Sequence, residues 1–115
     1  MPDSCLFCRI AAGEIPAAVV HETDETLAFR DINPRAPSHI LVIPRRHVAS
    51  LAALTPEEGE LAGRLLLVAA DVARQEGLAP NGYRVVSNVG EWGGQTVDHL
   101  HLHVMGGRAF HWPPG

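Results

Sequence analysis

His99-Leu100-His101-Leu102-His103-Val104-Met105 alternates imidazole with apolar side chains without a break. Period-two alternation is the pattern of a β-strand, whose successive side chains point to opposite faces. The stretch therefore predicts a strand with His99, His101 and His103 in a row on one face. Leu100, Leu102 and Val104 would fill the other face and anchor the row to a core. Same-face neighbours on a strand stand on the order of 6–7 Å apart, at roughly 3.3 Å rise per residue. One small polar group could then touch two of the imidazoles at once.

Elements upstream of this strand can be read in turn. A short helix is expected over residues 4–12, capped by Ser4, with Leu6 and Ile10 on one face and Gly13 ending it. Ala18–His21 and Thr26–Arg30 read as a hairpin. Residues 31–38 carry Pro34 and Pro37 and read as loop, and His39–Ile43 as a buried central strand stopped by Pro44. A helical turn is expected over 49–54. Thr55-Pro56-Glu57-Glu58 has the form of a helix start, with a Thr cap, Pro at the first position and Glu three after the cap. Leu61, Leu65, Val68 and Val72 then recur on one stripe, so a long helix should run to about Glu76 and close at Gly77. Tyr83–Asn88 reads as a further strand, Gly90–Gly94 as a flexible loop, and 106–115 as an irregular tail rich in proline. The expected fold is α+β: five strands in a mostly antiparallel sheet, one long helix and a short N-terminal helix, in a single domain over 1–115.

At 115 residues with 46% apolar content, the chain suits one soluble domain. Its net charge of −4 argues against a broad basic face for nucleic acid, although a small phosphate site needs only backbone N–H groups and imidazoles. There is no run long enough to span a membrane and no basic, apolar leader, so a cytoplasmic location is expected. The two cysteines form Cys5-x-x-Cys8, which in a reducing compartment points to metal or redox chemistry rather than a structural disulfide. Its place at the extreme N-terminus, without a preceding strand, lowers the redox reading. Taken alone, the histidine row is open to two readings, a metal site or phosphate chemistry.

Further stretches carry a resemblance. The row fits the H-φ-H-φ-H-φ-φ pattern of the histidine triad (HIT) superfamily. Asp31-Ile32-Asn33-Pro34, His39 to Pro44, Gly93-Gly94-Gln95-Thr96-Val97, Gly106-Gly107-Arg108 and the ending His111-Trp112-Pro113-Pro114-Gly115 resemble the histidine triad nucleotide-binding branch in its bacterial form. The resemblance covers essentially the whole chain. It implies a homodimer whose sheets join into one ten-stranded sheet, with a site for a purine nucleotide of AMP or GMP type in each subunit. It also implies hydrolysis of the P–N bond of nucleoside 5′-phosphoramidates without a catalytic metal.

The nucleophile implied by the resemblance is His101. A neutral imidazole can attack phosphorus through one nitrogen to form a labile nucleotidyl-histidine, provided the other nitrogen donates a hydrogen bond, for instance to a backbone carbonyl. His103 or the Thr96 hydroxyl could serve the leaving amine. His103, His39, Asn88 and the backbone N–H groups of Gly94, Gln95 and Thr96 could neutralise the phosphate oxygens. The resemblance sets Asn88, Gln95 and Thr96 near phosphate and ribose. It sets Asp31 on the ribose diol, where a carboxylate accepts two hydrogen bonds. Leu6, Phe7, Ile10, Phe29 and Ile32 would form the slot for the base. Trp112, in the tail at 106–115, would lie near the site and partly across the dimer.

The first histidine reads differently. Cys5, Cys8, His47 and His99 make up a Cys₂His₂ set of the kind that holds structural zinc, and some bacterial relatives carry one at these positions. Asp98 stands where the family pattern leads one to expect an aromatic residue, on the side away from the row. Two functional classes follow: a phosphoramidate hydrolase, or a nucleotide-binding interaction module with little turnover. Within enzymes the competitor is a dinucleoside polyphosphate hydrolase of the same superfamily, which lacks the Trp-Pro-Pro-Gly ending.

Overall fold

The computed structural model describes residues 4–115. Leu6–Ala11 forms α1 and Val19–Glu22 forms β1, followed by Thr26–Arg30 (β2) and Ser38–Pro44 (β3). Two 3₁₀ turns, Leu51–Ala53 and Pro56–Glu58, lead into the long helix Gly59–Gln75 (α2). Arg84–Val86 (β4) and Leu102–Gly106 (β5) complete a five-stranded sheet in the order β1-β2-β3-β5-β4, antiparallel throughout. The expected α+β class and element order are what the structure has.

Strand alternation decides which side each residue serves. The register pairs Phe29 with Leu41 and Leu41 with His103, so these side chains share one face with His39. Ala28, Ile40 and Val104 occupy the other face and pack with Leu100, Leu102 and the α2 stripe of Leu61, Leu65, Val68 and Val72 into the larger core. The smaller core gathers Phe7 of α1 with Leu27, Phe29, Leu41 and Ile43. The long helix thus covers one face, and the histidine face is left to a single short helix. This division leaves room for a cleft.

The ends of α2 are built as the residues dictate. Glu58 Oε1 accepts from the Thr55 N–H (2.8 Å) and the Thr55 hydroxyl (3.2 Å), although the first turn is 3₁₀ rather than α. At the far end Gly77 takes φ +73°, and the N–H groups of Gly77 and Leu78 reach back to the carbonyls of Arg74 and Ala73. This is a Schellman closure, in which glycine meets the left-handed position without strain.

Several expected boundaries are corrected. The first helix begins at Leu6, and its cap is Cys5, whose sulfur accepts from the Cys8 N–H, rather than Ser4. The first strand runs one residue later than expected, the turn at 49–54 shrinks to Leu51–Ala53, and the fourth strand is only Arg84–Val86. The largest correction concerns the histidine row, because β5 begins at Leu102 and leaves His99 and His101 ahead of the ladder. Their backbone groups are engaged elsewhere. Leu100 N–H donates to Val48 O, Ser87 Oγ donates to His101 O, and the carbonyl of His99 is taken by a side chain. Pro44 has no N–H with which to extend the ladder past them.

Candidate active site

The row still stacks in space. The rings of His101 and His103 lie 5.0 Å apart, and Phe7 sets its ring edge-on to His101 at 5.1 Å and to His99 at 5.9 Å. His99 is fully buried and His101 nearly so, while His103 is half-buried.

Hydrogen bonds assign the tautomers. His101 Nδ1 lies 2.6 Å from the carbonyl oxygen of His99. A carbonyl can only accept, so Nδ1 carries a proton, and in the neutral ring the lone pair is on Nε2. The neighbouring dyad is fixed by a backbone donor. Arg35 N–H donates to His39 Nδ1 (3.0 Å), so a neutral His39 bears its proton on Nε2. That N–H donates to His103 Nδ1 at 2.9 Å, which leaves the His103 proton on Nε2. Burial, and then the nearness of His101 and His39, hold His103 down to about 4. Burial likewise lowers His39, with Asp31 opposing. His103 is therefore a neutral hydrogen-bond donor near pH 7 rather than a store of positive charge. Asp31 Oδ2 sits 3.5 Å from His39 Nε2, and its Oδ1 accepts from the Asn33 N–H at 2.9 Å. Although Asp31, His39 and His103 cluster closely enough to hold a cation, the 2.9 Å between the two imidazole nitrogens is spanned by the hydrogen bond from His39 Nε2–H.

A cleft of about 290 Å³ opens over this row. Leu6, Phe7, Ile10, Phe29 and Ile32 wall it, Asp31 and Thr96 stand at its rim, and His101 and His103 lie at its polar end. Nine of the residues expected at the site thus line one cavity. His39 does not line the cleft; it stands behind His103, hydrogen-bonded to its Nδ1. Ile15, Pro16, Ala17, Leu41 and Val97 also line the cleft. Leu41 was signalled by its parity with His39 along β3, whereas Ile15–Ala17 read only as the end of a helix.

Four other expected residues do not line the cleft either. Asn88 Nδ2 donates to Gly93 O at 2.7 Å. Gln95 Nε2 donates to the carbonyls of Ala49 and Val97, and its Oε1 accepts from the Gly90 N–H. Asn88 and Gln95 therefore brace the 88–97 loop. Gly94, with φ +80°, turns that loop. Gly93, which no periodic pattern marks as constrained, has no room for a side chain, since a Cβ there would strike the Val89 backbone carbonyl. Trp112 is 83% exposed and away from the cleft of its own chain, because the tail folds back through Phe110, which Arg84 and Arg108 flank, rather than through the indole.

Beside the cleft, one donor atom from each of Cys5, Cys8, His47 and His99 falls within a 4.8 Å cluster. His99 Nε2 donates to Pro44 O at 2.8 Å, so Nδ1 is the free lone pair, and it faces Cys5 Sγ at 3.3 Å and Cys8 Sγ at 3.5 Å. His47 Nδ1 lies 3.3 Å from Cys8 Sγ. Tetrahedral zinc with ordinary Zn–S and Zn–N bonds would set sulfur and nitrogen about 3.5 Å apart. Burial and the neighbouring Cys5 push the Cys8 thiol up to about 11, and a cation bound there would displace its proton.

A small α+β domain with a buried histidine row at the floor of an apolar cleft defines a recognisable class. Residues 12–110 match the HIT domain, and the chain belongs to the HIT family. It is 52% identical to an uncharacterised HIT-like protein of Synechococcus elongatus over 115 residues, all of both chains. It is 48% identical to Protein HitA of Neisseria gonorrhoeae over 104 residues, 90% of this chain and 96% of that one. Among solved structures, a HIT family hydrolase from Legionella pneumophila superposes with a TM-score of 0.95 at 52% identity, covering 97% of this chain and all of the other. A histidine triad nucleotide-binding protein from Candida albicans superposes at 0.83 with 34% identity, covering 97% and 85%.

Proposed function

We propose that the protein hydrolyses the P–N bond of purine nucleoside 5′-phosphoramidates through a nucleotidyl-His101 intermediate. The observation that carries this reading is the His101 Nδ1 contact to His99 O, which in the neutral ring puts the lone pair on Nε2, in a residue that lines a cleft sized for a nucleoside. The names of similar structures, a hydrolase and a nucleotide-binding protein, agree with it.

The base lies between Phe29, Phe7 and the aliphatic wall, with the ribose diol toward Asp31. His101 Nε2 attacks phosphorus in line with the P–N bond. The P–Nε2 bond forms as the P–N bond breaks, and the departing amine takes a proton from water relayed over the Thr96 hydroxyl. His103 Nε2–H, held in that tautomer by His39, donates to a phosphoryl oxygen as charge develops there. Water then cleaves P–Nε2, releasing the nucleoside monophosphate and returning the free imidazole. Cys5, Cys8, His47 and His99 would hold a structural zinc ion, supported by the clustering of their donor atoms and by three sulfur–nitrogen distances of 3.3–3.5 Å. Zinc there would tie α1 to the sheet.

Two chains pair as a homodimer. The open edge at β4, with Val85 exposed, and the exposed Leu66 and Leu67 of α2 support this reading. Velocity sedimentation giving a single species of one chain's mass would refute it.

A fluorogenic adenosine phosphoramidate tests the activity. His101→Ala should abolish turnover while AMP still binds, and rapid quenching of the wild type should capture protein one nucleotide heavier. Full turnover in His101→Ala, or none in the wild type, would overturn the proposal.

A further inference from the structure

We infer that occupation of the Cys5/Cys8/His47/His99 centre sets the shape of the nucleotide cleft and the aim of His101, so that zinc controls the site rather than the fold. The inference rests on the function proposed above. Two structural links carry it.

The first link is His99, a single residue with three attachments. Its Nδ1 faces the two sulfurs, its Nε2–H is held by Pro44 O, and its own main-chain oxygen accepts the His101 Nδ1–H at 2.6 Å. Clamping the imidazole by a cation therefore fixes the peptide whose carbonyl selects the nucleophile's tautomer. His99 is a positioning residue in this sense, acting on the reaction through His101.

The second link is the pair of residues between the thiols. In Cys5-Leu6-Phe7-Cys8 both intervening side chains wall the cleft, and Phe7 also packs edge-on against His101 and Phe29. At six residues, α1 is far too short to hold its own helical form. Its N-cap is the Cys5 sulfur itself, accepting from Cys8 N–H. One atom thus caps the helix and ligates, so binding a cation orders the wall and the nucleophile's support together.

The larger core has no such dependence. None of its members belongs to α1 or to the four ligands. Loss of the ion should consequently leave α2 and the sheet standing and change the site. Disrupting the support behind a functional group at a metal site typically costs about 10–100-fold in metal affinity or activity, and an effect of that order is the scale expected here.

The test compares protein loaded with one equivalent of Zn²⁺ with protein stripped by a chelator and freed of it. AMP affinity is read by calorimetry, the His101 tautomer by long-range ¹H–¹⁵N correlation, and the fold by far-UV circular dichroism. On stripping, AMP should bind about tenfold more weakly or worse. The His101 ring should lose its single Nδ1–H tautomer, the dichroism spectrum should hold, and Zn²⁺ should restore both changes. His47→Asn weakens the centre without touching the cleft wall or His101. It should behave as stripped protein at low Zn²⁺ and as loaded protein at saturation. Equal AMP affinity and an unchanged His101 signature in the two states would overturn the inference, and so would collapse of the whole spectrum on stripping. Failure of AMP to bind in either state would instead defeat the proposed function, and the His101 signature would still decide the coupling.

Discussion

Acid should destabilise this protein through His103, by an amount the structure fixes. Its ordinary value of 6.5 falls to about 4 in the folded chain, because burial and two neighbouring imidazoles disfavour the charged form. Above pH 6.5 the group is neutral in both states and contributes no pH dependence. Between 6.5 and 4 the unfolded chain takes up a proton that the folded chain refuses, so stability falls as pH falls. The loss amounts to about 2 kcal/mol at pH 5 and levels off at about 3 kcal/mol below pH 4, since each tenfold drop in proton affinity is worth about 1.4 kcal/mol. The perturbation is His103→Asn, which keeps a short polar side chain and removes the titration. Urea unfolding of both proteins at pH 7 and pH 5 isolates the difference, since the other titrating groups are common to both. Circular dichroism is the suitable probe, because Trp92 and Trp112 are exposed in the folded state and report little on its loss. The wild type should lose about 2 kcal/mol more than the variant between the two pH values. An equal loss in both proteins would refute the assignment of His103 as a buried neutral donor.

Other expectations follow from single contacts. Gly93→Ala should lower both kcat/KM and Tm, because the Val89 carbonyl leaves a Cβ no room and the bent loop carries Thr96; steady-state kinetics and a melt check this together. Leu65→Ala should cost about 3 kcal/mol in denaturant unfolding, since the side chain is buried between α2 and the sheet. Glu76 joins Arg30 and Ser38 across the sheet–helix seam and is held below its ordinary 4.5 chiefly by the Arg30 guanidinium. Glu76→Gln should therefore destabilise at pH 7 by about 1 kcal/mol, and the gap to wild type should close as pH falls below 4.5 and the wild-type carboxyl gains its proton. A gap that persists at pH 3 would argue for lost packing instead.

What the sequence determined by itself was periodic or compositional. Alternation from His99 to Met105 and the stripe Leu61–Val72 announced a sheet face and a helix face, because burial imposes periods of 2 and 3.6 on any chain that must hide apolar area. The cap at Thr55 and the stop at Gly77 were legible for a local reason, since each answers to backbone groups within a few residues. The histidine pattern and the tail were enough to assemble most of the cleft's residues in advance. Only the tertiary structure decided how the row divides. His99 turns to the cysteines, His101 is held by a carbonyl, and His103 accepts a hydrogen bond from His39, which lies 64 residues away. It also gave Asn88 and Gln95 hydrogen bonds that brace their loop, and set Trp112 outside the cleft of its own chain. The physical reason is common to these cases. A side chain's role depends on which partner is nearest when the chain is folded, and those partners come from segments whose distance apart the sequence does not encode.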